Sequence, residues 1–202
     1  HRDLQRIRTA GGIALDCATP MDIRDELLPH IQATLDAPSG VFFHYRDDGN
    51  GGKFFSGFSR GVPGDAPDIW CRDYQHVDPF VCYFLRHLKA GGERVVISSS
   101  MVRKRNYVRT AFYCDFLRPQ SVHHILIVGL VRNAEPIALL GLHRPLEASP
   151  FGSNDVLKMN LILPHLSAVV ERLSLIEKLA ARQCIIDTLA QVLACAAVVM
   201  LD

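Results

Sequence analysis

Two apolar, β-rich segments lie close together in the second half of the chain and limit the folds open to it. Residues Val122–Val131 and Ile137–His143 consist largely of valine, isoleucine and leucine, and only a short segment containing Asn133 and Pro136 separates them. Segments of this composition joined by a short turn predict an antiparallel β-hairpin. A β-sheet built on this hairpin is therefore the expected framework of the fold.

Weaker signals predict further strands and a series of helices around this hairpin. Val41–Arg46 and Lys53–Ser59 predict a second hairpin, because an aspartate- and glycine-rich loop joins them, and Arg94–Ser98 predicts a short strand. Helices are predicted over Pro20–Asp36, Asp68–Val77, Pro79–Lys89, Tyr107–Leu117 and Ser153 to about Leu193, with kinks at Pro29 and Pro164. This order predicts an α+β fold: a mostly antiparallel central sheet with helices packed on its faces, followed by a long C-terminal helix.

The composition indicates a globular protein with almost no net charge. The 202 residues include 22 basic and 21 acidic side chains, a net charge of +1, and 49% are hydrophobic. This balance argues against nucleic-acid binding by these residues, and no uncharged apolar run approaches the roughly 18 residues that cross a bilayer. The six cysteines form no Cys-x-x-Cys pair and predict reduced, mostly buried thiols. We therefore expect a cytoplasmic protein without membrane contact.

The last residues suggest how the chain is organised. Residues 1–195 are expected to form one domain, whereas Ala196–Asp202 predicts a strand with no partner after it. A strand cannot satisfy its own backbone hydrogen bonds. We therefore expect residues 196–202 to begin a following unit or a linker, and the chain to be a fragment of a larger protein.

Trp70, Tyr74 and Asp78 form the richest cluster of candidate binding residues. The two aromatic residues are four positions apart, so a helix places them on one face, and Asp78 follows one turn later. Apolar area with a single carboxylate predicts a small-molecule pocket. Further rings are expected from the facing strands at Phe43, Tyr45, Phe54 and Phe58. The alternative is core packing, in which Asp78 serves only as the N-cap of the helix that begins at Pro79.

No residue pattern predicts catalysis or a metal site. His123 and His124 are neighbours on a strand and point to opposite faces, so they cannot share one ion. Residues Gly57–Gly61 spell the letters of a nucleophile elbow, but the residues after them cannot begin the required helix. The basic run Arg103–Arg105 predicts a solvated surface. We therefore expect no enzyme, no metal and no other cofactor.

The last predicted helix carries an apolar stripe wider than one packing face requires. Leu166, Val169, Leu173, Ile176 and Ala180 follow each other at spacings of three and four residues. A stripe with this spacing predicts a coiled-coil-like homodimer. The alternative is that a following unit covers the stripe.

Four segments resemble a known family: Phe112–Pro119, Leu140–Pro145, Pro150-Phe151 and Leu163–Leu166. Together they are similar to the N-terminal sensory region of LuxR-type helix-turn-helix transcriptional regulators, over about residues 70–180. The resemblance implies a GAF- or PAS-like fold of the autoinducer-binding-domain type. It also implies a C-terminal DNA-binding domain outside this chain, and contact with DNA through that domain alone.

The resemblance further implies a ligand contact at Asp78. In the quorum-sensing members, the aspartate of an Asp-Pro pair accepts a hydrogen bond from the amide of an acyl-homoserine lactone, and aromatic residues line the acyl pocket. Asp78-Pro79 matches that pair and Tyr74 precedes it. Trp70 is closer to the pair than the corresponding tryptophan of those members, and no tryptophan follows the pair. The resemblance therefore implies a small-molecule effector in this place rather than that lactone in particular.

These observations together predict a ligand-sensing and dimerisation domain of a LuxR-type regulator. In that hypothesis a ligand shifts the population between two packings of the sheet and the long helix. The first alternative is a dimerisation module with a filled pocket and no ligand. A second alternative is an enzyme that uses Ser59 or a cysteine, which requires a histidine within hydrogen-bond reach of the nucleophile.

Overall fold

The computed structural model describes residues 2–47, 53–133 and 135–199. The strands in these ranges are β1 (Ser39–Asp47), β2 (Lys53–Arg60), β3 (Val95–Ile97), β4 (His124–Arg132) and β5 (Glu135–Arg144). The α-helices are α1 (Arg2–Asp16), α2 (Pro20–Asp22), α3 (Leu28–Thr34), α4 (Ala66–Ile69), α5 (Pro79–Lys89), α6 (Ser98–Met101), α7 (Lys104–Tyr107) and α8 (Ser153–Val199). Wider π-helical turns are π1 (Ile23–Leu27), π2 (Trp70–Tyr74) and π3 (Phe112–Leu117), and a 3₁₀ turn spans Arg118–Gln120.

The strands form one antiparallel sheet in the order β2-β1-β5-β4-β3, with β5 at its centre. Both predicted hairpins are present: Phe42 of β1 lies opposite Phe58 of β2, and Ile127 of β4 lies opposite Gly141 of β5. Strand β1 also pairs with β5, which places Val41 opposite Gly141. The predicted α+β fold, with an antiparallel sheet, flanking helices and a long C-terminal helix, is confirmed.

Alternation of side chains along the strands divides the core into two layers. Phe42 and Leu140 point to the layer covered by α1, π1, α3 and α8, which we call the α8 face of the sheet. Phe43 and Leu139 point to the layer covered by π2, α5, α7 and π3, which we call the α5 face. Successive residues of a strand point to opposite faces, so each strand contributes to both layers.

Three of the predicted helices contain π-helical turns. The helix predicted over Pro20–Asp36 begins as expected, with Thr19 as its N-cap, but continues through π1 before α3. Pro29 has no N–H to donate, and the wider turn ends two residues before it, at Leu27. The helix predicted over Asp68–Val77 is present as α4 and π2 but ends at Tyr74, because residues 75–77 form a turn. The helix predicted over Tyr107–Leu117 is wrong for residues 108–110, which separate the end of α7 from π3.

Helix α1 was not predicted. It packs along α8, and its buried residues are small: Ala10, Gly11 and Ala14. The guanidinium of Arg172 on α8 donates hydrogen bonds to backbone carbonyls at the end of α1, including that of Leu15 at 3.1 Å. Close packing and these caps hold a segment that has little helix signal of its own.

Helix α8 begins at Ser153, as predicted, and contains Pro164. It extends to Val199, so the strand predicted over Ala196–Asp202 is wrong for residues 196–199, while 200–202 lie outside the described residues. Alanine favours helix, and adding residues to an existing helix costs no new nucleation. Judged by length and composition alone, Ser153–Gln191 is the one helix among the described residues that could span a membrane. Its first half is a core helix, because Met159, Ile162 and Leu166 are almost completely buried.

The cysteines whose side chains are described are all free thiols, which agrees with the prediction of reduced cysteines. Cys17 is buried, and its burial raises the pKa of the thiol to about 11. Cys82 and Cys184 are exposed, so the prediction that the thiols are mostly buried is wrong for them. Both lie on helix faces that point away from the core, Cys82 on α5 and Cys184 on α8.

Candidate functional site

Asp78 is a buried carboxylate at the start of α5, on the α5 face of the sheet. Its backbone is extended, and Pro79 occupies the first helical position. Oδ1 accepts hydrogen bonds from the backbone N–H groups of Phe80 at 2.8 Å and Val81 at 3.1 Å, so the predicted N-cap is confirmed. Oδ2 accepts a hydrogen bond from Nε1 of Trp70 at 2.9 Å. The side chain therefore does more than cap the helix, because it also fixes the indole ring.

Burial changes the proton affinity of this carboxyl group. Desolvation raises the pKa of Asp78 to about 6, although the hydrogen bonds from Trp70, Val81 and Phe80 act in the opposite direction. A carboxylate with such a pKa changes its charge just below neutral pH. Protonation would weaken the hydrogen bonds that it accepts, so Trp70 and the first turn of α5 are coupled to this equilibrium.

Trp70 and Tyr74 lie in π2 but have different neighbours. The indole of Trp70 packs on Phe43 and Phe55, with ring centroids 4.6 and 5.4 Å away. Tyr74 stacks on Phe116 at 4.8 Å, and its backbone carbonyl accepts a hydrogen bond from the N–H of Asp78 at 2.9 Å. Trp70 and Asp78 therefore meet, as predicted, whereas Tyr74 supports Asp78 through its backbone and stacks on the rings of π3.

A cavity of about 70 Å³ lies beside the Trp70–Asp78 pair. Its floor is the α5 face of the sheet, and its other walls are side chains of α5, π3 and the segment before β4. Representative lining residues from the sheet are Val41, Phe43, Ile125, Ile127, Leu139 and Gly141. The wall is mostly apolar, and the described residues that line it include no lysine or arginine. Few polar groups on an apolar wall are typical of small-molecule sites.

The sequence analysis missed two further polar residues that line this cavity, Gln120 and His143. His143 of β5 lines the cavity, and its Nδ1 lies 3.4 Å from Oγ of Ser39 on β1. Desolvation lowers the pKa of His143 to about 4, so the ring is neutral at pH 7. The alternation along Ile137–His143 could have indicated that His143 shares a face with Leu139, but not that Ser39 would lie opposite it.

The remaining predicted pocket residues do not join this cluster. Phe58 lies on the α8 face, where its ring stacks on Phe42 at 5.3 Å, so its assignment to the pocket is corrected. The reason is strand alternation, because Phe58 is paired with Phe42 and shares its face. Tyr45 and Phe54 lie in β1 and β2, but their side chains are outside the part of the chain that the structure describes.

The predicted dimer stripe is divided between two roles. Leu166, Val169 and Leu173 are buried in the domain's own core, so their assignment to a dimer interface is corrected. These three side chains pack against the α8 face of the sheet, so this side of α8 is already covered within one chain. Ile176 is 52% exposed, and Ala180 is also exposed. Of the five residues of the predicted stripe, only Ile176 and Ala180 are therefore available to a partner.

The residues considered for catalysis lie apart from the cavity. Oγ of Ser59 donates a hydrogen bond to the backbone carbonyl of Pro63 at 3.0 Å. Within the described ranges, no group of three histidine, cysteine, aspartate or glutamate side chains is placed to hold a metal ion. His123 and His124 are in edge-to-face contact, with ring centroids 4.7 Å apart.

No protein-family profile and no curated protein matches this chain. Solved structures do. The N-acylhomoserine lactone-dependent LuxR-family transcription factor CepR2 of Burkholderia cenocepacia is 15% identical, with a TM-score of 0.57, over 89% of this chain and 99% of that chain. SdiA in complex with octanoyl-rac-glycerol is 12% identical, with a TM-score of 0.60, over 85% of this chain and 67% of that chain; SdiA comes from Escherichia coli.

A GAF domain gives a similar match. That of phosphoenolpyruvate-protein phosphotransferase from Acinetobacter is 10% identical, with a TM-score of 0.60, over 85% of this chain and 94% of that chain. At such identities the likeness shows the fold alone. The chain has the fold shared by LuxR-family autoinducer-binding domains and GAF domains, and the predicted resemblance is confirmed at that level.

Proposed function

We propose that this chain is the ligand-sensing and dimerisation domain of a LuxR-type DNA-binding transcriptional regulator. The observation that carries the proposal is Asp78, a buried carboxylate paired with Trp70 at the wall of an apolar cavity. A buried ionisable group is costly unless it has partners, and a helix cap alone does not require the second oxygen to meet an indole. The fold shared with CepR2 and SdiA supports the same assignment.

The ligand is a small-molecule effector, and its binding requires the cavity to widen. A volume of about 70 Å³ holds a few water molecules, whereas ligand pockets typically measure about 300–1,000 Å³. The rings of Phe112 and Phe116 on π3 form part of the wall, and outward movement of π3 would enlarge it. The ligand then favours the wider packing, and the population shift between packings is the signal.

The dimer forms through the second half of α8. Every described side chain from Leu175 to Gln191 is exposed, including large apolar ones at Leu175, Ile176, Leu179, Ile186 and Leu189. Leu175, Leu179, Ile186 and Leu189 follow one another at spacings of four, seven and three residues, which fit the heptad positions of a coiled-coil seam. The signal reaches DNA only through a separate C-terminal domain, and the protein acts in the cytoplasm.

A second candidate function is a dimerisation module that binds no ligand. The small size of the cavity favours this alternative. The two functions differ in their response to a small amphipathic molecule, because only the sensor then changes both the environment of Trp70 and its stability.

Octanoyl-rac-glycerol, the ligand in the SdiA structure, is a suitable probe. Trp70 is the only tryptophan, so its fluorescence reports on this cavity. We expect a saturable change in Trp70 emission and a rise in melting temperature with the probe. Asp78→Asn keeps a cap acceptor but places an N–H₂ group where Oδ2 accepts from the indole, and it should weaken binding about tenfold or more.

Asp73→Asn is the matched control, because Asp73 is exposed and pairs only with Arg72. It should bind as the wild-type protein does. Absence of any response in the wild-type protein would contradict the sensor function and favour the filled-pocket module. An equal response in wild type and Asp78→Asn would contradict the role assigned to Asp78.

A further inference from the structure

The chain segment between α6 and β4 covers one side of the cavity on the α5 face. We call residues 104–120 the lid; it consists of α7, π3 and the 3₁₀ turn that follows. Phe112, Phe116 and Leu117 of the lid line the cavity. The backbone hydrogen bonds described for the lid reach no further along the chain than Arg103 and Val122. Among the described residues, side chains therefore hold the lid to the sheet.

Two tyrosines of the lid are hydrogen-bonded to the same residue, His123, which directly precedes β4. The hydroxyl of Tyr107 donates to the backbone carbonyl of His123, and Oη of Tyr113 lies 2.6 Å from Nδ1 of its ring. The backbone N–H of His123 in turn donates to the carbonyl of Arg144 on β5 at 3.0 Å. His123 is therefore fixed to the sheet, and both tyrosines fasten the lid to it.

Ring packing does not explain why these two residues are tyrosines. Tyr107, Tyr113 and His123 are all buried, and the two tyrosine rings meet edge to face with centroids 5.0 Å apart. A phenylalanine ring would fill the same space. Burial raises the pKa of both hydroxyl groups, so each keeps its proton at neutral pH. A buried hydroxyl is costly unless it is hydrogen-bonded, so both hydroxyls favour the position of the lid in which they meet His123.

Such hydrogen bonds suit a segment that has to move. Apolar contacts are non-directional and tolerate small displacements, whereas a hydrogen bond is lost once its atoms separate. If the lid moves outward, the two hydroxyl groups exchange His123 for water. The net contribution of each bond is therefore modest and corresponds to an about two- to tenfold change in the equilibrium between the closed and the open lid.

We propose that Tyr107, Tyr113 and His123 form a latch that holds the lid over the cavity, and that release of this latch admits the ligand. The admission of a ligand rests on the proposed function, whereas the fastening of the lid does not. Because binding requires the wider cavity, the latch stabilises only the closed, ligand-free state. The apparent Kd is then the Kd of the open form divided by the fraction of molecules in which the lid is open.

Native-state hydrogen exchange tests the latch without any ligand. Tyr113→Phe removes one of its hydrogen bonds and keeps the ring, so the amides of π3 should exchange about fivefold faster while those of β4 and β5 keep their wild-type rates. Tyr83→Phe is the matched control, because Tyr83 is 44% exposed on α5 and its ring stacks on His87. In a double-mutant cycle, Tyr113→Phe should have little further effect on π3 once His123→Leu has removed the imidazole.

Stopped-flow binding of octanoyl-rac-glycerol, followed by Trp70 fluorescence, tests whether the latch controls the admission of a ligand. In Tyr113→Phe the association rate constant should rise about fivefold, because a larger fraction of molecules has an open lid. The dissociation rate constant should change little, since the latch is already released in the bound state. Tyr83→Phe should bind the probe as the wild-type protein does.

The latch and the sensor function can be contradicted separately. Unchanged exchange in π3, an equal acceleration in π3, β4 and β5, or additive effects of Tyr113→Phe and His123→Leu would contradict the latch. A probe that binds wild type and Tyr113→Phe at the same rate would contradict its control of ligand admission. If exchange in π3 responds as expected but no variant binds the probe, the sensor function is contradicted and the fastening of the lid is supported.

Discussion

At the residue scale, two buried titratable groups of the cavity act on stability in opposite directions. Burial raises the pKa of Asp78 from 3.8 to about 6 and lowers the pKa of His143 from 6.5 to about 4. Folded Asp78 holds its proton more tightly than the unfolded chain does, so its contribution is full below about pH 4 and is lost as the pH rises through about 6. The contribution of His143 is full above pH 6.5 and is lost as the pH falls through about 4.

Single substitutions should therefore reveal two pH dependences of the unfolding free energy that offset each other in the wild-type protein. Relative to wild type, the unfolding free energy of Asp78→Asn should rise by about 3 kcal/mol between pH 4 and pH 6.5. That of His143→Leu should fall by a similar amount over the same interval. Urea denaturation at several pH values measures both differences, and Asp73→Asn should show neither slope. If the difference in unfolding free energy between wild type and either cavity variant did not change with pH, the pKa shift assigned to that residue would be contradicted.

The same two residues show how far the sequence predicts the site. Asp78 was predictable because Pro79 and Trp70 both lie within eight residues of it along the chain. The Ser39–His143 pair joins residues 104 positions apart. Their meeting depends on the register of β1 against β5, and no local pattern fixes that register. Phe58 was misplaced for the same reason, since one step along a strand reverses the face of a side chain.

At the element scale, Arg144 holds the end of β5 to the C-terminal end of α3 and to the start of α8. Its guanidinium donates to the carbonyls of Leu35 at 2.6 Å and Ser149 at 3.1 Å, and pairs with Asp155 at 3.1 Å near the start of α8. The group also lies 4.0 Å from the ring centroid of Phe151. A planar fork with five N–H donors can meet all these partners at once, whereas an ammonium group cannot.

Arg144→Lys should therefore destabilise the domain although the charge is kept. We expect a loss of about 2–4 kcal/mol in unfolding free energy, because several buried carbonyls and a carboxylate lose their donors. Hydrogen exchange should also become faster in the first turns of α8. Arg86→Lys, on the exposed side of α5, is the control and should change stability by less than about 0.5 kcal/mol. A loss of similar size in both variants would mean that the network around Arg144 contributes little.

Elements with a strong local pattern were predicted, and those held by tertiary contact were not. Both hairpins and the start of α8 follow from composition and turn residues. Helix α1 does not, because Gly11 and Gly12 lower helix propensity. In the fold Gly11 is useful, since a Cβ atom there would lie 3.1 Å from the ring of His165 on α8. Gly11 therefore lowers the local helix propensity of α1 but permits its close packing on α8.

At the scale of the whole molecule, α8 serves both the domain core and the surface. Periodicity alone identified an apolar stripe but could not divide it, because the same spacing suits a sheet and a second helix. The division lies between Leu173, which is 7% exposed, and Leu175, which is 54% exposed. Core residues before it cannot be a dimer interface, and the exposed residues after it contribute nothing to the core of a single chain.

This division gives a test of dimerisation that does not disturb the fold. Leu179 and Ile186 are 63% and 58% exposed. The double variant Leu179→Glu/Ile186→Glu should therefore leave the unfolding of the monomer unchanged, while burial of like charges in the seam weakens the dimer at least about a hundredfold. Sedimentation velocity over a range of concentrations measures the change. Leu157→Glu is the control, because Leu157 is 58% exposed on the first half of the same helix, and it should leave the dimer intact. A wild-type protein that remains monomeric at all concentrations, or a dimer that Leu157→Glu disrupts and the double variant does not, would place the interface elsewhere.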